Sequence, residues 1–185
     1  MRILLVSGST RSGSTNTAVL ATAAALAPPD VEVGLYAGLS TLPAFNPDDD
    51  SDPLPGPVAQ LRGQLDRCDA VLFSTPEYAG ALPGSLKNLL DWTVGGPQMQ
   101  GLPMGWVNVS SVAAPTGGSG AHTELATVLG YVGAAVVEAA CVRAPMTRAA
   151  VTPEGTVADA EVRRQLATAL AALRAHVLGS VGPGE

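Results

Sequence analysis

Short apolar runs and amphipathic stretches alternate along this chain. Arg2 to Ser7 is almost wholly apolar and ends at Gly8, the pattern of a strand buried on both faces. Ser14 to Leu26 follows as a predicted helix, with Leu20 and Ala23 to Leu26 on its apolar side and Pro28-Pro29 as its stop. Val31, Val33 and Leu35 alternate with Glu32 and Gly34, which predicts a shorter, less buried second strand. A helix from about Val58 to Arg67 precedes Ala70 to Ser74, the clearest central strand. Leu82 to Trp92 reads as a third helix, with Pro83 in its first turn where its missing N–H costs nothing. Pro103 to Ser110, Thr123 to Tyr131 and Ala134 to Glu138 then read as strand, helix and strand. The final helix spans Asp159 to Leu178, with Val162, Leu166, Leu170, Leu173 and Val177 at steps of three and four.

This alternation predicts a parallel sheet covered by helices on both faces. Residues 1–178 show no internal repeat and no linker, so they read as one domain, and 179–185 as a frayed tail. Residues 40–57 carry five prolines and four aspartates, which predicts a long surface loop.

Composition narrows the class. Of 185 residues, 46 % are hydrophobic and only 4 % aromatic, so the core must be built from Ala, Val and Leu. A net charge of −6 argues against nucleic acid and against an anionic membrane surface, both of which need a basic footprint. Leu125 to Val137, the longest apolar stretch, is bounded by Glu124 and Glu138 and is too short to span a bilayer. The apolar run at Met1 to Ser7 is too short for the core of a signal peptide. The two cysteines, Cys68 and Cys141, are far apart beside apolar runs and read as buried free thiols. A soluble cytoplasmic protein is the expectation.

In an open α/β sheet, ligands bind beyond the carboxyl ends of the strands. Three loops there are unusual. Gly8 to Thr17 holds three serines, three threonines, an asparagine, an arginine and two glycines, and opens directly into a helix. Hydroxyls, backbone N–H groups, the helix N-terminus and Arg11 together suit a phosphate, although a polar turn with a Ser or Thr cap has the same outline. Neither Gly-x-Gly-x-x-Gly nor a Gly-Lys-Ser/Thr loop is present. Thr75 to Gly84 is stiffened by Pro76 and Pro83, and carries Tyr78. It reads either as the edge of a site for a planar ring or as a structural turn. Ser110 to Gly120 is small and glycine-rich; it reads either as a row of amides facing ring carbonyls or as a flexible loop.

At these residues the chain resembles the NADPH-dependent FMN reductase family of flavin, quinone, chromate and azo reductases. Two motifs carry the resemblance: Gly-Ser-x-Arg-x-x-Ser-x-Asn at Gly8 to Asn16, and Pro-Glu-Tyr-x4-Pro-Gly-x-Leu-Lys-Asn-x2-Asp-Trp at Pro76 to Trp92. The second is long and rarely met by chance, and the order of elements agrees along nearly the whole chain. The resemblance implies a flavodoxin-like three-layer α/β sandwich with strand order 2-1-3-4-5. It implies that Ser9, Arg11, Ser14 and Asn16 hold an FMN phosphate, with Thr17 nearby. It places Pro76, Glu77, Tyr78, Ala79 and Gly80 along the ribityl chain and ring, and Ser111, Gly117 and Gly118 on the ring's far side. Lys87, Asn88, Asp91 and Trp92 would serve as scaffold or subunit contacts, and the spacing of Lys87 and Asp91 suits a surface pair.

The implied activity is electron transfer from NADPH or NADH through FMN to a small acceptor such as free flavin, a quinone, an azo compound or a metal oxyanion. The flavin carries the hard chemistry, so no side-chain nucleophile, acid–base pair or metal is expected, from His122 and His176 included. The resemblance also implies a homodimer or homotetramer. A flavodoxin-like electron carrier and a flavin-free binding module are the alternatives. Two positions depart from the family's pattern. Ala79 stands where asparagine is common, and the Gly-Gly loop is followed by Ser119-Gly120-Ala121-His122 rather than by a nearby arginine.

Overall fold

The computed structural model describes residues 1–111 and 114–180. Five parallel strands form one sheet: β1 (Arg2–Ser7), β2 (Glu32–Tyr36), β3 (Ala70–Thr75), β4 (Pro103–Ser110) and β5 (Ala135–Pro145), in the order β2-β1-β3-β4-β5. The helices are α1 (Thr15–Leu26), α2 (Gly56–Leu65), α3 (Gly84–Asp91), α4 (Ser119–Tyr131) and α5 (Ala160–Ser180).

Alternation along each strand sorts side chains onto two faces. Ile3, Leu5 and Leu72 pack with Val19 and Leu20 of α1 and with Leu166 and Leu170 of α5. Leu4, Val6, Val71 and Phe73 pack with Leu61 of α2, Leu86 of α3 and Leu125 of α4. Successive residues of β1 and β3 therefore enter opposite cores, which is why these strands are apolar at nearly every position. The result is the expected three-layer sandwich, with β1 and β3 at its centre.

Several elements differ from expectation: α2 begins and ends two residues earlier than Val58 to Arg67, and α3 spans Gly84–Asp91 rather than Leu82 to Trp92. β5 runs on to Pro145 instead of ending near Glu138, because its pairing with β4 jumps from Met104↔Val136 to Trp106↔Cys141. Five residues of β5 thus advance against two of β4, a large bulge that breaks the alternation on which the reading depended. Gly105 makes room for it: a Cβ there would sit 2.7 Å from the Ala140 carbonyl oxygen. α4 begins at Ser119 rather than Thr123, for a reason that lies in the site described below. α5 extends through Gly179 and Ser180, which the expected tail had included; residues 181–185 lie outside the described residues. Cys68 is buried and Cys141 only half-buried, and both are free. Burial pushes their thiols up to about 11 and about 12, so neither ionises near neutral pH.

The long loop is fastened down by the second motif. Asn88 accepts from Phe45 N (2.7 Å) and donates to Pro43 O (2.8 Å), and Trp92 Nε1 donates to the same carbonyl at 2.9 Å. Phe45 meets the Trp92 ring edge-on at 5.0 Å. Arg62 bonds Asp50 at 2.6 Å and also the Trp92 carbonyl, closing the loop from the other side. Lys87 and Asp91 form the expected pair at 2.6 Å.

Candidate functional site

The loops after β1, β3 and β4 meet at the carboxyl end of the sheet around a cleft of about 490 Å³. Its first wall is Ser9, Arg11, Ser14, Thr15 and Asn16. Ser14 caps α1, accepting from Asn16 N at 3.2 Å, so the loop that lines the cleft also starts the helix. Asn16 is buried, and its Oδ1 accepts from Ser74 Oγ at 3.0 Å, which locks the start of α1 to the end of β3. Gly8 donates to Ser74 O at 2.7 Å; a Cβ there would press on Thr75 and Leu86 at 2.9 Å. The crossing of β1 into its loop therefore needs glycine. Arg11 is exposed, with Nη2 3.2 Å from Gly13 O. Among the described residues, the N–H groups of Ser12, Gly13 and Ser14 donate to no other group, which leaves donors at the helix start.

Pro76, Glu77 and Tyr78 make the second wall. Tyr78 and Ala81 exchange two backbone hydrogen bonds of 3.0 Å around Ala79 (φ 53°) and Gly80 (φ 76°). Positive φ at both central residues makes this a type I′ turn, whose favoured sequence is Asn-Gly. Asparagine at position 79 would thus answer a backbone requirement, which Ala79 meets under strain. Tyr78 stands on the rim, 57 % exposed.

Glu77 joins two walls through its carboxylate. It accepts from Thr116 Oγ1 and, at 3.0 Å, from Ala121 N in the first turn of α4. The Thr116 hydroxyl, with the Ala121 and Gly120 amides, holds its pKa below the ordinary glutamate range despite partial burial. Gly118 (φ 82°) precedes α4, and a Cβ at Gly120 would collide with the Gly80 carbonyl oxygen. These contacts start α4 four residues early and leave no room for an arginine at Gly120. Glu124 adds a second tie, accepting from Leu82 N at 2.6 Å.

Val109, Ser110, Ser111 and Ala114 line the third side. Ser110 is 6 % exposed and its hydroxyl has no hydrogen-bond partner among the described residues. A fourth wall comes from Met146, Thr147 and Arg148, after β5. Of the expected residues, Ser9, Arg11, Ser14, Asn16, Pro76, Glu77, Tyr78 and Ser111 come together on the cleft. Thr17 faces a neighbouring hollow, its Oγ1 3.4 Å from Ser7 Oγ. Ala79, Gly80, Gly117 and Gly118 have positive φ and shape turns, and they do not line the cleft. Val112 and Ala113 of the third loop lie outside the described residues.

His122 is half-buried and packs against Trp106 rather than lining the cleft. Trp106 Nε1 donates to its Nδ1 at 2.9 Å, and the two rings meet edge-on at 5.1 Å. Its Nδ1 also lies 3.1 Å from Asn108 Oδ1, and burial, aided by Arg143, lowers its pKa and favours the neutral ring. Among the described residues there is no metal-binding cluster of His, Cys, Asp or Glu, and no helix long and apolar enough to cross a membrane.

A 2-1-3-4-5 parallel sheet with a cleft at the start of α1, beyond the carboxyl ends of the strands, defines a flavodoxin-like α/β protein. The chain belongs to the NADPH-dependent FMN reductase family, whose model matches residues 1–149. An NAD(P)H-dependent FMN reductase of Pseudomonas aeruginosa is 41 % identical over 98 residues, 53 % of this chain and 52 % of the relative. A quinone reductase of Escherichia coli is 33 % identical over 93 residues, half of each chain. The chain thus spans about half the length of the curated relatives it matches. Among solved structures, FerB, a flavoenzyme NAD(P)H:(acceptor) oxidoreductase from Paracoccus denitrificans, superposes with a TM-score of 0.83 at 26 % identity, covering 96 % of this chain and 97 % of its own.

Proposed function

We propose that this protein is an FMN-dependent NAD(P)H oxidoreductase, passing electrons from a reduced nicotinamide to a small acceptor. The observation that carries the reading is the cleft itself. One end offers hydroxyls, free amides, a helix N-terminus and Arg11, which suit a dianionic phosphate. The other carries an exposed tyrosine and a buried serine hydroxyl in want of a partner, which suit a ring with carbonyl and ring-nitrogen groups. The volume lies within the range of ordinary small-ligand sites, about 300–1,000 Å³.

Bound FMN would supply the hydride-accepting and electron-donating chemistry; the protein supplies position. Ser9, Arg11, Ser14 and Asn16 would hold the phosphate end, with Thr17 supporting Ser7 behind them. Pro76 to Gly80 would form the rigid edge beside the ring. Ser111, with Gly117 and Gly118 behind it, would bound the far side. Glu77 is a positioning residue, because its carboxylate ties the second wall to the third.

Residues 1–180 would act as one cofactor-binding domain, in a reducing cytoplasm that keeps both cysteines free. Homodimer or homotetramer formation is supported by a patch where Val94 (66 % exposed) and Tyr131 (89 % exposed) border one hollow. The test is NADPH and NADH consumption by purified protein with and without FMN, followed by a panel of quinones, free flavins, azo compounds and oxyanions. Consumption that needs both protein and FMN supports the reading. Flavin binding without nicotinamide oxidation would mark a carrier, and no flavin binding a module of another kind.

A further inference from the structure

The cleft's fourth wall comes from a segment with a distinct path. Beyond β5, Met146 N still bonds Ser110 O at 2.9 Å, and the chain then makes a single 3-10 turn at Arg148–Ala150. Val151 and Val157 pair as a small bridge, and Val157 N donates to Thr22 Oγ1 of α1 at 2.8 Å, in the interior. Ala150, Val151 and Val157 pack on the core that holds Ala18 and Val19 of α1. The segment is a strap from the sheet's edge to α1, and it brings Arg148 to the same cleft as Ser14 and Thr15, where α1 begins.

Charge singles out this arginine. The chain carries ten lysines and arginines against sixteen acids. Arg2, Arg62, Lys87, Arg164 and Arg174 are each paired with a carboxylate. Arg11 and Arg148 are exposed, line the cleft, and have no carboxylate partner among the described residues. Among the described residues the one carboxylate on the cleft, that of Glu77, is engaged by Thr116 and the α4 amide. An acidic protein thus presents a cleft whose uncommitted charges are two guanidinium groups. Gly120, with no space for a side chain, supplies none from the Gly-Gly loop.

We infer that Arg148 is a second phosphate-binding residue of the flavin site, acting with Arg11 at the start of α1. This rests on the FMN reading above. The strap's anchorage to α1, rather than to the Tyr78 side, favours the phosphate end over the ring. A guanidinium offers paired N–H donors to two phosphate oxygens, a geometry that lysine cannot reproduce.

The discriminating experiment is equilibrium binding of FMN and of riboflavin, which lacks the phosphate, to wild type, Arg148→Ala, Arg148→Lys and Arg11→Ala. Thermal unfolding of each variant checks that it is folded. The expected result is FMN binding about tenfold weaker in Arg148→Ala, an intermediate loss in Arg148→Lys, and riboflavin binding unchanged in both. If Arg148→Ala binds FMN as wild type does while Arg11→Ala does not, the inference about Arg148 fails and the site stands; a raised KM for NADPH would then assign Arg148 to the donor. Equal weakening of FMN and riboflavin would make Arg148 a packing residue and also overturn the inference. Wild type that binds FMN no more tightly than riboflavin would defeat the phosphate cradle itself.

Discussion

Ala79 offers a sharp physical test of the second wall, through the substitution Ala79→Asn. The residue is held at φ 53° by the two 3.0 Å bonds between Tyr78 and Ala81. A left-handed conformation costs an ordinary L-residue about 1–2 kcal/mol, because Cβ crowds the following carbonyl. Asparagine tolerates this region better, through local hydrogen bonding of its short amide. Relief of about half the strain gives a gain of about 0.5–1 kcal/mol. For a chain of this size that is a rise in Tm of roughly 1–4 °C. Ala79→Gly removes the crowding but adds backbone entropy to the unfolded chain, so its gain is smaller. Ala79→Val, with a branched Cβ, should lose stability. Urea unfolding without added flavin is the assay, so that ligand linkage does not contribute. A flat or lowered midpoint for Ala79→Asn, with an unchanged denaturant slope, would refute the turn argument and leave the asparagine preference to ligand contact.

Substitutions at three other residues probe separate parts of the account. Arg11→Ala should weaken FMN binding about tenfold or more, because a charge-assisted contact is lost, and a flavin titration reads it directly. Glu77→Ala should cost about 1 kcal/mol, as loss of an α4 cap does, and should loosen the third wall, seen as faster amide exchange over residues 114–121. Since the folded pKa of Glu77 is lowered, its contribution is present above the usual value of 4.5 and fades as pH falls through the lower folded value. Glu77→Gln should lack that acid-dependent part. His122 carries the corresponding dependence nearer neutrality. Its folded pKa lies below the usual 6.5, so the unfolded chain binds the proton more readily and stability falls as pH drops below that value. A His122→Gln variant whose pH–stability curve matches wild type would contradict that assignment.

What could be read from the residues follows physical locality. β1 and β3 are apolar at consecutive positions because both faces are covered, and such runs are visible without a structure. The Gly8 to Thr17 loop stands out by composition, and five of its residues line the cleft. Tertiary contacts hid the rest. The start of α4 depends on a carboxylate forty-four positions from the Ala121 amide it receives. The bulge in β5 depends on Gly105 in the neighbouring strand, so the local pattern ends the strand early. With its end misplaced, the segment carrying Arg148 did not stand at the rim, and the contact between Val157 and Thr22 spans 135 positions. The scaffold reading of Asn88 and Trp92 needed Pro43 and Phe45 to become specific.

The most direct measurement is anaerobic mixing of the FMN-loaded protein with NADPH while the flavin absorbance band is followed. An oxidoreductase bleaches the band in proportion to NADPH, and addition of a quinone restores it. A band that stays unchanged with NADPH and with NADH, on protein shown to hold FMN, would contradict the proposed activity.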